Sequence, residues 1–290
     1  MSRTREIVIL LLVVLWAVPA FAQRVAVAGD SWSDAYRAND NRCKGTFAAV
    51  SLNWVEHLER NNMDFGVWGS YPEPRRIDYA YNYARSGAVS ADVNTKGQAA
   101  GVASQAPDVA ILFVGSNDID VARKQRAREI YYGTITAASR AAFINGIVNA
   151  HLTAMQTMQS TGAKGWMVTL FESPRPSASY QDPVGLARIA AVAQEINTRL
   201  VQGAVAGGYG MIDAEGFYVW LTARGSLQPD GTLLVAGRTI TRTASCNPRS
   251  IMFPDGHPGT VFQGLWGTYI AEIVGVPVLT DEAIVAAAGL

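Results

Sequence analysis

Five short apolar segments of strand length alternate along this chain with longer segments of helical periodicity, and that alternation restricts the fold more than any other feature. The strand-length runs are Val25 to Ala28, Ile77 to Ala84, Val109 to Val114, Gly165 to Leu170 and Tyr209 to Ile212. Between them, Ala142 to Ser160 places Ile144, Ile147, Val148, Leu152, Met155 and Met158 at spacings of three and four, the signature of one helix face. A second helical stretch starts near Pro183, where a missing N–H costs least, and runs to about Val205. Strands separated by helices pair in parallel through crossovers. The expected fold is therefore α/β, with a mainly parallel five-stranded sheet between helical layers and ligands at the carboxyl ends of its strands. Within 227–243 the turn signals Asp230-Gly231 and Ala236-Gly237 separate β-prone runs, which predicts a small hairpin inserted near one edge.

Composition excludes several functions. The 24 basic and 24 acidic side chains cancel and no Lys/Arg run exceeds Arg75-Arg76, so no basic stripe exists to neutralise a nucleic acid backbone. Two cysteines and three histidines are too few for a clustered metal centre, and no metal or cofactor is expected. At the start, Arg3 and Arg5 precede an apolar run of 12 from Ile7 to Val18, and Ala20-Phe21-Ala22 follows. This reads as a signal peptide over residues 1–22, too short to cross a bilayer, which leaves 23–290 as one exported domain, secreted or periplasmic.

The first strand runs into Gly29-Asp30-Ser31-Trp32 and the third into Gly115-Ser116-Asn117-Asp118. Ser31 stands where a nucleophile would meet a ligand, and the Asn117 amide where it would donate to an oxyanion. Taken singly, both are also ordinary turn or cap residues. Gly87, in Arg85-Ser86-Gly87-Ala88 after the second strand, offers a backbone N–H or simply a turn. His257 follows Asp255 by two residues in Asp255-Gly256-His257-Pro258-Gly259, ahead of a helical segment from Val261 to Val274. His57 and His151 lie in amphipathic stretches and read as packing residues.

The four motifs GDSW, RSGA, GSND and DGHPG, in that order from Gly29 to Gly259, resemble the signature blocks of the SGNH (GDSL) hydrolases. The resemblance implies a three-layer α/β/α sandwich and a cofactor-free serine hydrolase acting on small-molecule, lipid or glycan esters. It makes Ser31 the nucleophile and His257 the general base. The Ser31 N–H, the Gly87 N–H and the Asn117 side chain become the oxyanion donors. The family usually sets its orienting aspartate three residues before the histidine, where this chain has Pro254. Asp255 is the favoured acid, with Asp213 or a backbone carbonyl as alternatives. If Ser31 and His257 meet, Cys43 and Cys246 hang on loops at the same end of the sheet, and in an oxidising compartment they form a disulfide. The expected activity is short-acyl ester hydrolysis. The alternatives are O-deacetylation of a carbohydrate and a non-catalytic binding protein on the same fold. Trp32 and the run Phe217, Tyr218, Trp220 are left between substrate platform and core.

Overall fold

A computed structural model describes residues 23–37, 43, 45–172 and 179–290. The expected signal peptide lies outside the described residues. The first half runs β1 (Val25–Gly29), α1 (Trp54–Glu59), β2 (Trp68–Ser70), β3 (Ile77–Tyr79), α2 (Ser90–Thr95), α3 (Gln98–Ser104) and β4 (Val109–Phe113). After these come α4 (Gln125–Tyr132), α5 (Ala137–Met158), β5 (Lys164–Val168), α6 (Pro183–Gly207), β6 (Gly210–Ile212) and α7 (Gly216–Ala223). The chain ends with β7 (Leu233–Val235), β8 (Arg238–Ala244), β9 (Ser250–Met252), α8 (Thr260–Val274) and α9 (Asp281–Ala287).

The central sheet has the order β1-β4-β5-β6 and every pairing in it is parallel. Successive strand residues point to opposite faces. Val25, Val27, Val109, Ile111 and Phe113 join a core with Trp54 of α1, Phe217 of α7 and Leu265 and Trp266 of α8. Ala26, Ala28, Ala110 and Leu112 join a second core with Val93 of α2, Val102 of α3 and Met155 and Met158 of α5. Both faces of β1 are thus covered, which is why it reads as an unbroken VAVA run instead of an alternating one. The layers are α/β/α. At the ends of α6, Asp182 accepts the Val184 and Gly185 N–H groups ahead of Pro183, and Gly208 closes the helix in the left-handed conformation.

Two expectations need correction. Among the described residues the central sheet has four strands, not five. The run Ile77 to Ala84 divides, and β3 turns back antiparallel on β2. Only the part beyond it lies along β1, where Val27 N donates to Tyr81 O (3.0 Å) and Tyr83 N to Val27 O (2.8 Å). The physical reason is in the run itself. Asp78 and Asn82 are wholly buried there, and the Asn82 amide donates to the Asp78 carboxylate and to Ser33 O instead of lying on a uniform apolar face.

The inserted hairpin also does more than decorate an edge. Ala236 and Gly237, both at positive φ, make the two-residue turn between β7 and β8. But β8 then pairs in parallel with β9, forming a three-stranded sheet from which the histidine loop emerges.

Candidate active site

The turn that carries Ser31 is built on the sheet. At the end of β1, a Cβ added to Gly29 would lie 2.2 Å from Phe113 O, so the close approach of β4 excludes any side chain there. Asp30 N then donates to Phe113 O, and the Asp30 carboxylate accepts the Trp32 N–H. Ser31, at the turn that follows, is only 8 % exposed. Below it, Asn82 donates to Ser33 O, the Trp54 indole N–H to Ser33 Oγ, and Asn53 to Asp34 O. Glu56, fully buried, accepts the Tyr36 and Arg37 N–H groups and pairs with the Arg37 guanidinium at 2.8 Å. Burial pushes the Glu56 carboxyl above its usual range, opposed by Arg37.

Two further loops meet this turn. Arg85 N donates to Gly29 O, and Ser86 N donates to the Asp34 carboxylate at 2.7 Å, which ties the residue before Gly87 to the segment that carries Ser31. Gly87 has φ +82°, a left-handed backbone that a side chain would strain, and it is exposed to solvent. The Asn117 amide donates to Ala88 O at 2.9 Å, while Asp118 accepts both the N–H and the hydroxyl of Ser90. The loop after β4 therefore fixes the loop that carries Gly87. Burial raises the Asp118 carboxyl, and the Ser90 hydrogen bonds oppose that rise.

From the other side comes the loop 253–259. Met252 bridges to Pro258, Phe253 N donates to His257 O, and a Cβ on Gly259 would lie 2.2 Å from Ser250 O. These constraints deliver His257 Nε2 to 2.7 Å from Ser31 Oγ. Its Nδ1 lies 3.0 Å from Asp255 Oδ2, and the other oxygen of that carboxylate accepts the His257 backbone N–H at 3.1 Å. The intervening Gly256 sits at φ +84°. An aspartate accepting the amide two residues on is an Asx turn. With glycine in the left-handed conformation, that turn brings the carboxylate to the ring in one residue fewer than the family spacing. Asp213 instead accepts the Glu215 N–H and the Thr169 hydroxyl, the pattern of a turn residue.

Cys43 and Cys246 form a disulfide, with Cα atoms 5.3 Å apart across 203 residues. It packs with Tyr36 and Phe253, so it joins the segment beyond Ser31 to the chain just before His257. Tyr36 adds a second tie, donating to Pro258 O at 3.2 Å and accepting from Gln263 at 2.8 Å.

The remaining sequence candidates are structural. His57 Nε2 bonds Thr260 O, and burial lowers its pKa to about 4. Both His151 ring nitrogens lie within hydrogen-bond distance of backbone carbonyls. Trp32 is 7 % exposed and stacks on Phe171 at 4.8 Å; Phe217 is fully buried against Trp266, while Tyr218 and Trp220 pack on the core's edge. Sequence reading missed Asp34, Glu56, Asp78 and Asn82, the polar floor beneath the turn. The available signal was polar residues inside strand-like or helical apolar runs, as at Asp78 and Asn82. Among the described residues no cluster of His, Cys, Asp and Glu suits a metal ion, and no helix is long and apolar enough to cross a membrane.

The fold recurs in solved structures. The acetylxylan esterase Axe2 of Geobacillus stearothermophilus superposes with a TM-score of 0.51 at 15% identity, covering 89% of this chain and 96% of its own. A catalytic mutant of the same enzyme gives 0.52 at 15% identity over 89% and 97% of the two chains. Another mutant, described as an acetyl-xylooligosaccharide esterase, gives 0.51 at 16% identity with the same coverage. No curated protein matches the chain in sequence. The family described as GDSL-like Lipase/Acylhydrolase matches residues 25–202, more than half of the length and including the loops of Ser31, Gly87 and Asn117. On that match, the chain belongs to the GDSL-like lipase/acylhydrolase family of carboxylic-ester hydrolases.

Proposed function

We propose that the protein is an exported serine esterase that cleaves short-acyl esters through an acyl-enzyme on Ser31. The observation that carries this reading is the continuous contact from Ser31 Oγ to His257 Nε2 (2.7 Å) and from His257 Nδ1 to Asp255 (3.0 Å). A serine hydroxyl becomes an effective nucleophile when a neighbouring base takes its proton. His257 accepts the Ser31 proton as Oγ bonds to the ester carbonyl carbon. The resulting oxyanion is held by the N–H groups of Ser31 and Gly87 and by the second amide hydrogen of Asn117, whose first is given to Ala88 O. His257 then protonates the departing alcohol. Water, deprotonated by the same ring, attacks the acyl carbon and releases the carboxylic acid and the serine.

Acyl size follows from what surrounds the nucleophile. Trp32, Phe113, Phe171 and Trp266 pack on one another in the core, and the cleft beside Gly87 is lined by charged and polar side chains. Neither gives a long alkyl chain an apolar channel among the described residues. Deacetylation of a carbohydrate is the second reading, supported by the acetyl-glycan activities named for the similar structures. The Cys43–Cys246 disulfide supports export, since such bonds persist in oxidising compartments.

The test is a fluorophosphonate probe followed by peptide mapping, together with hydrolysis rates across a series of acyl esters and acetate release from acetylated glycans. The expected result is a single adduct on Ser31 and rates that fall as the acyl chain lengthens. Labelling elsewhere, or no hydrolysis of any ester, overturns the reading.

A further inference from the structure

Next to the Gly87 loop lies a cleft of about 320 Å³, large enough for one sugar ring or a short acid chain. Its walls include Glu73 and Arg76 from the β2–β3 hairpin, Arg85 and Gly87 from the loop after it, Lys96 at the end of α2 and Gln98 at the start of α3. Two of these residues are nearly or wholly buried with hydrogen-bond donors to spare. Arg85 is 8 % exposed; its Nη1 donates to Ala84 O, while Nε and Nη2 find no partner among the described residues. Gln98 is fully buried; its carbonyl oxygen accepts the Gly29 N–H, and its Nε2 likewise finds no partner.

Which atoms are left over identifies the ligand. Nε and Nη2 form one edge of the guanidinium, the two-pronged edge that matches the two oxygens of a carboxylate. An unpaired buried donor is costly, so groups of this kind are normally satisfied by something. The cations around the cleft already have internal counter-charges: Arg85 lies 3.6 Å from Asp34, Lys96 3.1 Å from Asp92, and Arg76 3.1 Å from Glu73. Recognition here therefore rests on the unpartnered Arg85 and Gln98 donors more than on net charge.

We propose that this cleft is a carboxylate subsite, so that the ester this chain hydrolyses also carries an acid group. The inference rests on the esterase reading, because the subsite adjoins Gly87 and acts on the ester held there. The acid has two sources of the same chemistry. It belongs either to the alcohol side, as the uronate of an O-acylated glycan, or to the acyl side, as the free end of a dicarboxylic hemiester.

Matched substrates separate the sources. One arm compares kcat/KM for ethyl hydrogen succinate with ethyl butyrate. The other compares acetate release from acetylated glucuronoxylan before and after its carboxyl groups are reduced. We expect a preference of about tenfold or more for the charged member in one arm, the scale of a charge-assisted hydrogen-bond pair. Arg85→Gln should remove most of that preference ratio. Lys96→Glu, at a side chain 67 % exposed and so harmless to folding, should lower it several-fold. Equal rates in both arms, or a preference that neither variant moves, overturns the subsite. If no ester is hydrolysed at all, it is the esterase reading that fails. Binding of glucuronate and succinate to the wild-type protein, measured by calorimetry, then decides the subsite alone: saturable binding weakened by Arg85→Gln supports it, and no binding, or binding that this variant leaves unchanged, overturns it.

Discussion

The two halves of the candidate site are held in different ways. Ser31 stands on the end of a strand buried on both faces, over a floor of buried polar groups that includes Asn53, Glu56, Asp78 and Asn82. His257 stands on a surface loop leaving a small three-stranded sheet, with its side chain 22 % exposed and that of Asp255 43 % exposed. The proposed nucleophile is positioned by the core of the fold. The proposed base is positioned by local turn geometry, a disulfide and one tyrosine. Damage should therefore act through global stability on the first side and through local placement on the second.

Chemistry gives the largest effect. Ser31→Ala removes the hydroxyl that contacts His257 and breaks no other side-chain hydrogen bond among the described residues, so turnover should fall by about 10⁶-fold at an almost unchanged melting temperature. Retained activity in the purified variant would take the nucleophile role from Ser31.

Next comes the disulfide, which bridges the two sides. In the chain-entropy view, closing a loop of 203 residues stabilises the fold by about 5 kcal/mol. The double substitution Cys43→Ser, Cys246→Ser should lower the urea midpoint by a matching amount. Below that midpoint, its residual loss of activity should appear in kcat, because the bond packs with Phe253 at the base of the histidine loop. Equal urea midpoints would show that the small sheet and Tyr36 suffice.

A third test uses acid. His57 belongs to the floor common to both sides, lying on α1 and bonding Thr260 at the start of α8. Its folded pKa, about 4, is below the ordinary value near 6.5, so the neutral ring is favoured by folding. The unfolded chain binds the extra proton between those values. Stability is thus complete above about pH 6.5 and is lost as pH falls toward 4, by up to about 3 kcal/mol from this one residue. Urea midpoints at several pH values should show that slope, and His57→Gln should flatten it. An unchanged slope in the variant removes His57 as its source.

The smallest effect expected is at the acid. A well-enclosed triad aspartate is worth about 10⁴ in turnover, but solvent screens a carboxylate this exposed. Asp255→Asn should cost about 10²-fold in kcat with little change in KM, and Asp213→Asn less than about threefold. A large loss in the second alone would transfer the orienting role to Asp213.

The sequence made one side far more legible than the other. Strand positions, both long helices and the loops of Ser31, Gly87 and Asn117 follow from apolar runs and turn residues that act locally. The second strand did not, because Asp78 and Asn82 satisfy each other only once the chain is folded, and their pairing breaks what reads as one run. β9 was hidden for a related reason: Ser250-Ile251-Met252 is too short and too mixed to signal a strand, and it becomes one only against β8. The cleft donors Arg85 and Gln98 were equally silent, since nothing near either in sequence tells that both are buried.

The Asx turn at Asp255 alters what counts as the same motif. Spacing along a chain stands in for distance only when the backbone between two residues is conventional, and a left-handed glycine shortens the path by one residue. Under the proposed roles, a pattern demanding three steps from acid to histidine would pass over this chain, while one allowing Asp-Gly-His would include it. The glycine then becomes as diagnostic as the acid: Asp-Ala-His keeps both functional groups yet lacks the hinge that lets them touch. Sorting related chains by the residue between acid and histidine would separate shortened loops that still close from those that have lost the contact.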